Sequence, residues 1–123
     1  MSAERKIVNL TPHAIRIYHP DTPDRIDDLA CGLLYLIPRS GTVARLATID
    51  LGTWEYIEGI PIEGVEYGHA HDLPEKEAGV HYVVSLALAL GQPHRDDLLV
   101  PYSEVRNADG TVVGCRLLAK VAG

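Results

Sequence analysis

The sequence predicts an α+β fold that is mostly antiparallel β, built as a small open barrel or curved sheet with one short helix near residues 85–91. Three observations lead to this fold class. Short runs rich in β-branched and aromatic residues recur along the chain, turn residues separate them, and a single stretch has helical character. The sequence shows no succession of β-α-β units, so we do not expect a doubly wound parallel sheet.

Two short β-favouring runs, at 7–10 and 14–18, open the predicted sheet. Pro12 lies between them, and because it fixes its own φ and disfavours a helical residue before it, the junction is predicted to be a tight turn. Residues 19–28 combine prolines and acids without an apolar period and are predicted to be an exposed loop.

The middle of the chain predicts a hairpin. Residues 33–37 and 42–50 both have β character, and the intervening Pro-Arg-Ser-Gly segment has the composition of a turn. Further short strands are expected at 55–62, with its proline at a sheet edge or bulge, and at 65–67. Residues 68–79 are polar and acidic and are predicted to form a second loop.

The last third contains the predicted helix. Residues 80–84 are typical of a strand, Ser85 is a suitable N-cap, and the Leu-Ala repeat at 86–90 favours a helix that ends at Gly91. Strands are then expected at 98–100 and at 111–121. The segment Asn-Ala-Asp-Gly at 107–110 is predicted to be the turn before the last strand.

Composition predicts one globular domain, residues 1–123. The chain is 46% apolar and 23% charged, it contains no Phe, and its core must therefore depend on Leu, Ile and Val. Its net charge of −6, with scattered cations, disfavours a nucleic-acid or membrane partner, so the expected partner is a small molecule or a protein. No apolar run follows the charged start, and a cytoplasmic location is expected.

One cluster of residues could bind a divalent metal. His69 and His71 are two residues apart, and in a strand their imidazoles project to the same face. A metal site needs further ligands from elsewhere in the fold, and the alternative is a pair of solvent-exposed histidines. The sequence therefore predicts no cofactor, and a metal at this pair stays an open hypothesis.

Two other groups of polar residues are candidates for ligand binding. Residues 94–97 place an imidazole, a guanidinium and two carboxylates at the entrance to a strand, where they could orient a polar ligand or could pair with one another. The second group consists of His13, which follows the rigid Pro12, and Arg45, a charge within a predicted strand. Both residues are also compatible with structural roles. The candidate ligand-binding residues are His13, Arg45, His94, Arg95, Asp96 and Asp97.

Covalent catalysis has little support in the sequence. A Gly-x-Ser-x-Gly elbow and a phosphate-binding loop are both missing, and neither Cys31 nor Cys115 has a histidine beside it. Because the two cysteines are far apart in the sequence and a cytosolic location is expected, we predict free thiols. A disulfide would form only if the fold brings the two residues together. No catalytic residue is assigned.

Five blocks of sequence carry a resemblance to known proteins. In order along the chain they are Asn-Leu-Thr-Pro-His at 9–13, Ser-Gly-Thr-Val-Ala-Arg at 40–45, Val-Val-Ser at 83–85, Arg-Asp-Asp-Leu-Leu-Val-Pro at 95–101, and Gly-Cys at 114–115. Together they resemble a group of small hypothetical proteins from actinobacteria and their bacteriophages. The resemblance implies a cytoplasmic bacterial or phage product, and it implies no reaction, ligand or site residue.

The leading functional hypothesis is a non-catalytic binding protein. It would be either a small-ligand binder or a protein-interaction module that acts on a bacterial host partner, because polar clusters lie in loops and no nucleophile or metal framework is visible. Self-association is also expected, since short strands leave sheet edges to be covered. The alternative is a small metal-dependent hydrolase that uses His69 and His71 with His13 or His94, and Asp96 or Asp97 as the general base.

Overall fold

A computed structural model describes residues 5–122 and confirms the predicted fold class. The start of the chain, on which the expectation of no secretion signal depends, lies mostly outside these residues. The protein consists of an open mixed sheet of seven strands, one short helix and a separate two-stranded sheet. The elements are β1 (Lys6–Asn9), β2 (Ile15–Tyr18), β3 (Arg25–Ile26), β4 (Leu33–Ile37), β5 (Arg45–Ile57), β6 (Ile60–His71), β7 (Val80–Val83), α1 (Leu86–Gly91), β8 (Leu98–Asn107) and β9 (Val112–Ala119).

The main sheet has the strand order β1-β7-β8-β9-β2-β4, and β3 pairs with the far end of β8. β1, β7 and β8 run parallel to one another, and so do β9 and β2, whereas β8–β9 and β2–β4 are antiparallel. One β-α-β unit is therefore present, because α1 connects β7 to the parallel β8. The sequence did not indicate this unit.

The two edge strands of the sheet, β1 and β4, approach each other at one end. Asn9 forms a parallel bridge with Arg39, and the Ser40 N–H donates to the Asn9 carbonyl at 3.0 Å. The Asn9 side chain is buried, and its amide donates to the carbonyls of His13 and Ile37. The sheet thus curves toward a barrel that stays open along most of β1 and β4.

The core is mainly aliphatic, as the lack of Phe predicts, but it also contains the buried rings of Tyr18 and Tyr82. Its largest cluster lies beneath α1 and includes Leu10, Tyr82, Leu88 and Leu98. The helix begins where expected, since the Ser85 Oγ accepts a hydrogen bond from the Leu88 N–H, and it ends at Gly91. Over residues 5–122, no helix is long and apolar enough to cross a membrane.

The predicted hairpin between residues 33–37 and 42–50 is wrong. β4 pairs with β2 instead, and β5 continues to Ile57 and pairs with β6 over almost its whole length. The connecting turn is Glu58-Gly59, and both residues have positive φ, as a two-residue hairpin turn of type I′ requires. The segment at 55–62, expected to be one strand, is therefore the tip of a hairpin.

Two predicted loops are shorter than expected. β6 extends through His71, so only the residues after it belong to the second loop. In the first loop, Arg25 and Ile26 form β3. This short strand pairs with β8, where the Arg106 N–H donates to the Asp24 carbonyl at 2.8 Å. Ile26 is buried against Tyr18 and Val105. A single buried residue produces no apolar alternation, so the sequence pattern of this polar segment did not indicate a strand.

Candidate interaction surface

Arg95 and Asp97 form a buried ion pair. The Arg95 Nε and Nη2 donate to the two carboxylate oxygens of Asp97, each at 2.8 Å, and Nη2 also donates to the Pro74 carbonyl at 2.9 Å. The hydrogen bonds from Arg95 hold the pKa of Asp97 below its ordinary value, and those to Asp97 raise the pKa of Arg95. This pair ties the loop before β7 to the start of β8, and a carboxylate held ionised in this way is a weak general base.

The neighbours of this pair face solvent. Asp96 forms an exposed salt bridge with Lys76, which lowers the pKa of the Asp96 carboxyl. His94 and Arg95 line a cavity of about 390 Å³ between α1 and β6, and His69 lines the same cavity. The structure therefore brings one predicted metal-binding histidine close to two of the predicted ligand-binding residues.

The remaining predicted ligand-binding residues lie elsewhere. His13 lines a different groove, of about 290 Å³, together with Arg16, Ser85 and Glu104. Arg45 is exposed at the first residue of β5, opposite His71. The six residues thus do not converge on one site, and the part they play in binding stays a prediction.

The predicted metal pair lies on a strand, at a point where the β5–β6 pairing shifts its register. His69 and His71 are both exposed and lie two residues apart on β6. Within the described part of the chain, no group of three or more His, Cys, Asp or Glu side chains is placed to hold a metal ion. A metal at this pair would therefore need ligands beyond those that the fold assembles around it.

The two thiols are free. Cys31 is exposed, whereas Cys115 is buried in the core beside Ile17 and Val83. Burial raises the pKa of the Cys115 thiol, which makes it a poor nucleophile.

The most exposed apolar surface belongs to the β5–β6 hairpin, which we call the arm (residues 45–71). β5 has 13 residues, so the arm is about 40 Å long. It is fixed to the body at its base, where Leu46 approaches Gly91 and Ala70 packs against the core. Nine large apolar side chains on it are exposed, namely Ile49, Leu51, Trp54, Tyr56, Ile57, Ile60, Ile62, Val65 and Tyr67.

One face near the tip of the arm is largely apolar, although Glu55, the cross-strand partner of Ile62, lies on it too. Ile57 and Ile60 oppose each other, and Ile62 follows on the same face of β6. Trp54 then covers Gly64, the next residue on that face, where it occupies the space that a Cβ would fill. The tip therefore presents an indole and three isoleucines to solvent.

The arm is also acidic. It contains five carboxylates against the single cation Arg45, which gives a net charge of −4 with histidines neutral. Two of these acids have partners within the arm: Asp50 accepts from the Gly52 N–H, and Glu63 accepts from the Thr53 hydroxyl. The other three, Glu55, Glu58 and Glu66, take part in no salt bridge among the described residues. Glu55 and Glu66 thus lie on the same face of the ribbon as the apolar side chains of its tip.

Sequence analysis missed the arm as a functional surface, although a signal was present. Glu58-Gly59 is an X-Gly dipeptide between two segments of alternating apolar and polar residues, the pattern of a two-residue hairpin. Comparison of the chain with protein-family models, with curated proteins and with solved structures finds no match, so a functional assignment must come from this geometry.

Proposed function

We propose that this protein is a non-catalytic protein-interaction module that binds a protein partner through the arm. One observation carries the proposal: nine large apolar side chains are exposed on a single hairpin. A soluble monomer rarely exposes a contiguous apolar patch of more than a few hundred square ångströms. The nine side chains together expose roughly 1,000 Å², divided between the two faces of the ribbon, since consecutive strand residues such as Tyr56 and Ile57 point to opposite faces.

The stability of the arm supports the same conclusion. A two-stranded ribbon without a third strand or a packed face is at best marginally stable in water. Beyond the base of the arm, its side chains contact mainly one another, so a partner would supply the packing that the ribbon lacks. The aromatic side chains Trp54, Tyr56 and Tyr67 are of the types that most often dominate binding energy at interfaces.

The proposal is tested by site-specific photo-crosslinking in the bacterial cells that carry the gene. A benzophenone amino acid replaces Tyr56 on the arm or, as a control, Tyr102 on β8, since the two tyrosines are 69% and 61% exposed. We expect a discrete crosslinked protein from position 56 and none from position 102. Equal products from both positions, or none from position 56, would overturn the proposal.

The hydrolase alternative predicts a different result. Purified protein would then hold a stoichiometric metal that is lost in the His69→Ala variant, and it would turn over a substrate. A non-catalytic module whose arm binds protein predicts that His69→Ala leaves the crosslinks from position 56 unchanged. Metal analysis and crosslinking of the same variant therefore separate the two functions.

A further inference from the structure

A second apolar surface lies on the body, where the sheet fails to close. The opening between β1 and β4 forms a groove of about 460 Å³, which we call the β1–β4 groove. Its lining residues are all apolar: Ile7, Ile17, Tyr35, Leu36, Ile37 and Leu118. Tyr35 is 66% exposed and shares a face with Ile17, so the interior of the open barrel is accessible to a partner at this position. Leu36 is 56% exposed and lies at the rim of the groove, on the opposite face of β4.

The backbone at this groove is also unpaired. Within residues 5–122, β1 bonds only to β7 and β4 only to β2, and the two edges meet each other only at the Asn9–Arg39 bridge. An exposed edge with free N–H and C=O groups accepts an added strand, and apolar positions beside it accept that strand's side chains.

The charge around the groove is opposite to that of the arm. The four strands that line the groove, β1, β2, β4 and β9, contain no acidic residue. Of their three cations, Arg116 forms a salt bridge with Asp24, which leaves Lys6 and Arg16. Arg39 follows β4, and neither it nor Lys6 takes part in a salt bridge in the part of the chain that the structure describes. A surface with this charge favours an acidic, apolar partner.

The arm has these properties, and it does not suit pairing with another arm. Two arms face to face would bring two net charges of −4 together, which opposes association, whereas an arm in the groove places its carboxylates near Lys6 and Arg39. We propose that the arm of one copy of this chain docks in the β1–β4 groove of a second copy. This inference depends on the proposed function, since it names the partner of the arm.

The proposed contact is heterologous because the two surfaces differ. Each copy then keeps a free arm or a free groove, so association continues until a ring closes or an open chain forms. Such an assembly has a property that a symmetric arm–arm dimer lacks. A copy with a defective arm and a copy with a defective groove still share one complete interface.

Complementation of two variants tests this property by sedimentation. Ile60→Asp disables the arm, and its control is Tyr102→Asp, because the two side chains are 60% and 61% exposed. Leu36→Asp disables the groove, and its control is Leu86→Asp, because both side chains are 56% exposed. We expect wild type and both controls to sediment as species larger than the 13.4 kDa monomer. Each of the two variants alone should be monomeric, and their equimolar mixture should form a 1:1 dimer that grows no further.

The single tryptophan provides a second readout. Trp54 is on the arm, so a Trp54→Phe change in the Ile60→Asp protein leaves emission only from the intact arm of the Leu36→Asp protein. Mixing should shift this emission to the blue as the indole enters the groove. The charge-reversed pair Lys6→Glu and Arg39→Glu, which changes only exposed side chains, should weaken association at least tenfold at low salt.

Several outcomes would overturn the inference. A Leu36→Asp protein that associates like wild type would indicate arm–arm pairing. Wild type that is monomeric at a protein concentration of about 100 μM would exclude a second copy as the partner. The proposed function is tested separately. If Tyr56 crosslinks to a different protein while wild type is monomeric, the arm binds a partner and only this inference fails.

Discussion

Trp54 lies across the ribbon on Gly64, and its indole fills the place of the side chain that this glycine lacks. The contact joins β5 to β6 next to a bulge in their pairing, between Thr53 and Glu55. An aromatic ring over a cross-strand glycine shields the backbone of a sheet from water. The glycine therefore determines how the indole is presented on the arm.

Gly64→Ala should release this indole. The new methyl group would overlap the ring, and because Trp54 is largely exposed, the ring can swing away at low cost. We expect lower fluorescence anisotropy of the single tryptophan and a loss of stability below about 1 kcal/mol. Gly68→Ala is the matched control on the same strand, since a Cβ there meets nothing within 4 Å. Equal anisotropy in the two variants would contradict the contact.

The strands and the helix could be predicted from local pattern, but their pairing could not. The N-cap at Ser85 and the turn at 107–110 each depend on residues at most three positions apart in the sequence, and both are present as predicted. The sequence predicts the hairpin turn at Pro38–Gly41 because of its composition, and it predicts residues 55–62 to be one strand. The actual pairing depends on β2, which pairs with β4 and so makes β4 unavailable to β5.

The candidate site was harder to predict for the same reason. Arg95 and Asp97 were expected to face a ligand or each other, and only burial beneath the loop before β7 selects the ion pair. The arm has an ordinary strand composition. Its exposure depends on the lack of any element packed above it among residues 5–122, and no single segment encodes such a lack.

Asp97→Asn should destabilise the fold strongly. The change removes the charge that pairs with Arg95 and leaves a partly buried guanidinium without its counter-ion, at a cost of about 3 kcal/mol. Asp96→Asn is the control, because the neighbouring salt bridge to Lys76 is exposed and contributes little. Urea unfolding at pH 7 measures both. A loss in Asp97→Asn no larger than in Asp96→Asn would show that the buried pair is unimportant to stability.

The stabilising effect of Asp97 should depend on pH. Its pKa is lower in the folded protein than the ordinary 3.8, so its contribution is fully present above that value and is lost as the pH falls through the folded pKa. The difference in unfolding free energy between wild type and Asp97→Asn should be constant from pH 5 to 8 and should narrow below about pH 4. A difference that stays constant down to pH 2 would exclude ionised Asp97 as its cause.

Asn9→Ala should open the closed end of the groove. The buried Asn9 amide donates to His13 and Ile37, and its Oδ1 accepts from the N–H and the hydroxyl of Thr11. Loss of these bonds should cost about 2–3 kcal/mol, since Asn9 is buried and bonds to several partly buried groups at once. Asn107→Ala, which removes two bonds within a surface turn, should cost about 1 kcal/mol. Equal losses in urea unfolding would contradict a special role for Asn9.

The two cysteines should differ sharply in reactivity. Cys31 is exposed, whereas Cys115 is almost fully buried and its pKa is raised, so both access and thiolate fraction are low. A disulfide-exchange reagent should therefore label one thiol per native chain and two after unfolding in urea. Cys31→Ser should abolish the native reaction, and Cys115→Ser should leave it unchanged. Rapid labelling of Cys115 in the native Cys31→Ser protein would mean that the core around β9 opens to solvent. The β1–β4 groove, which Leu118 lines, would then be part of a mobile barrel and would not be a preformed docking surface.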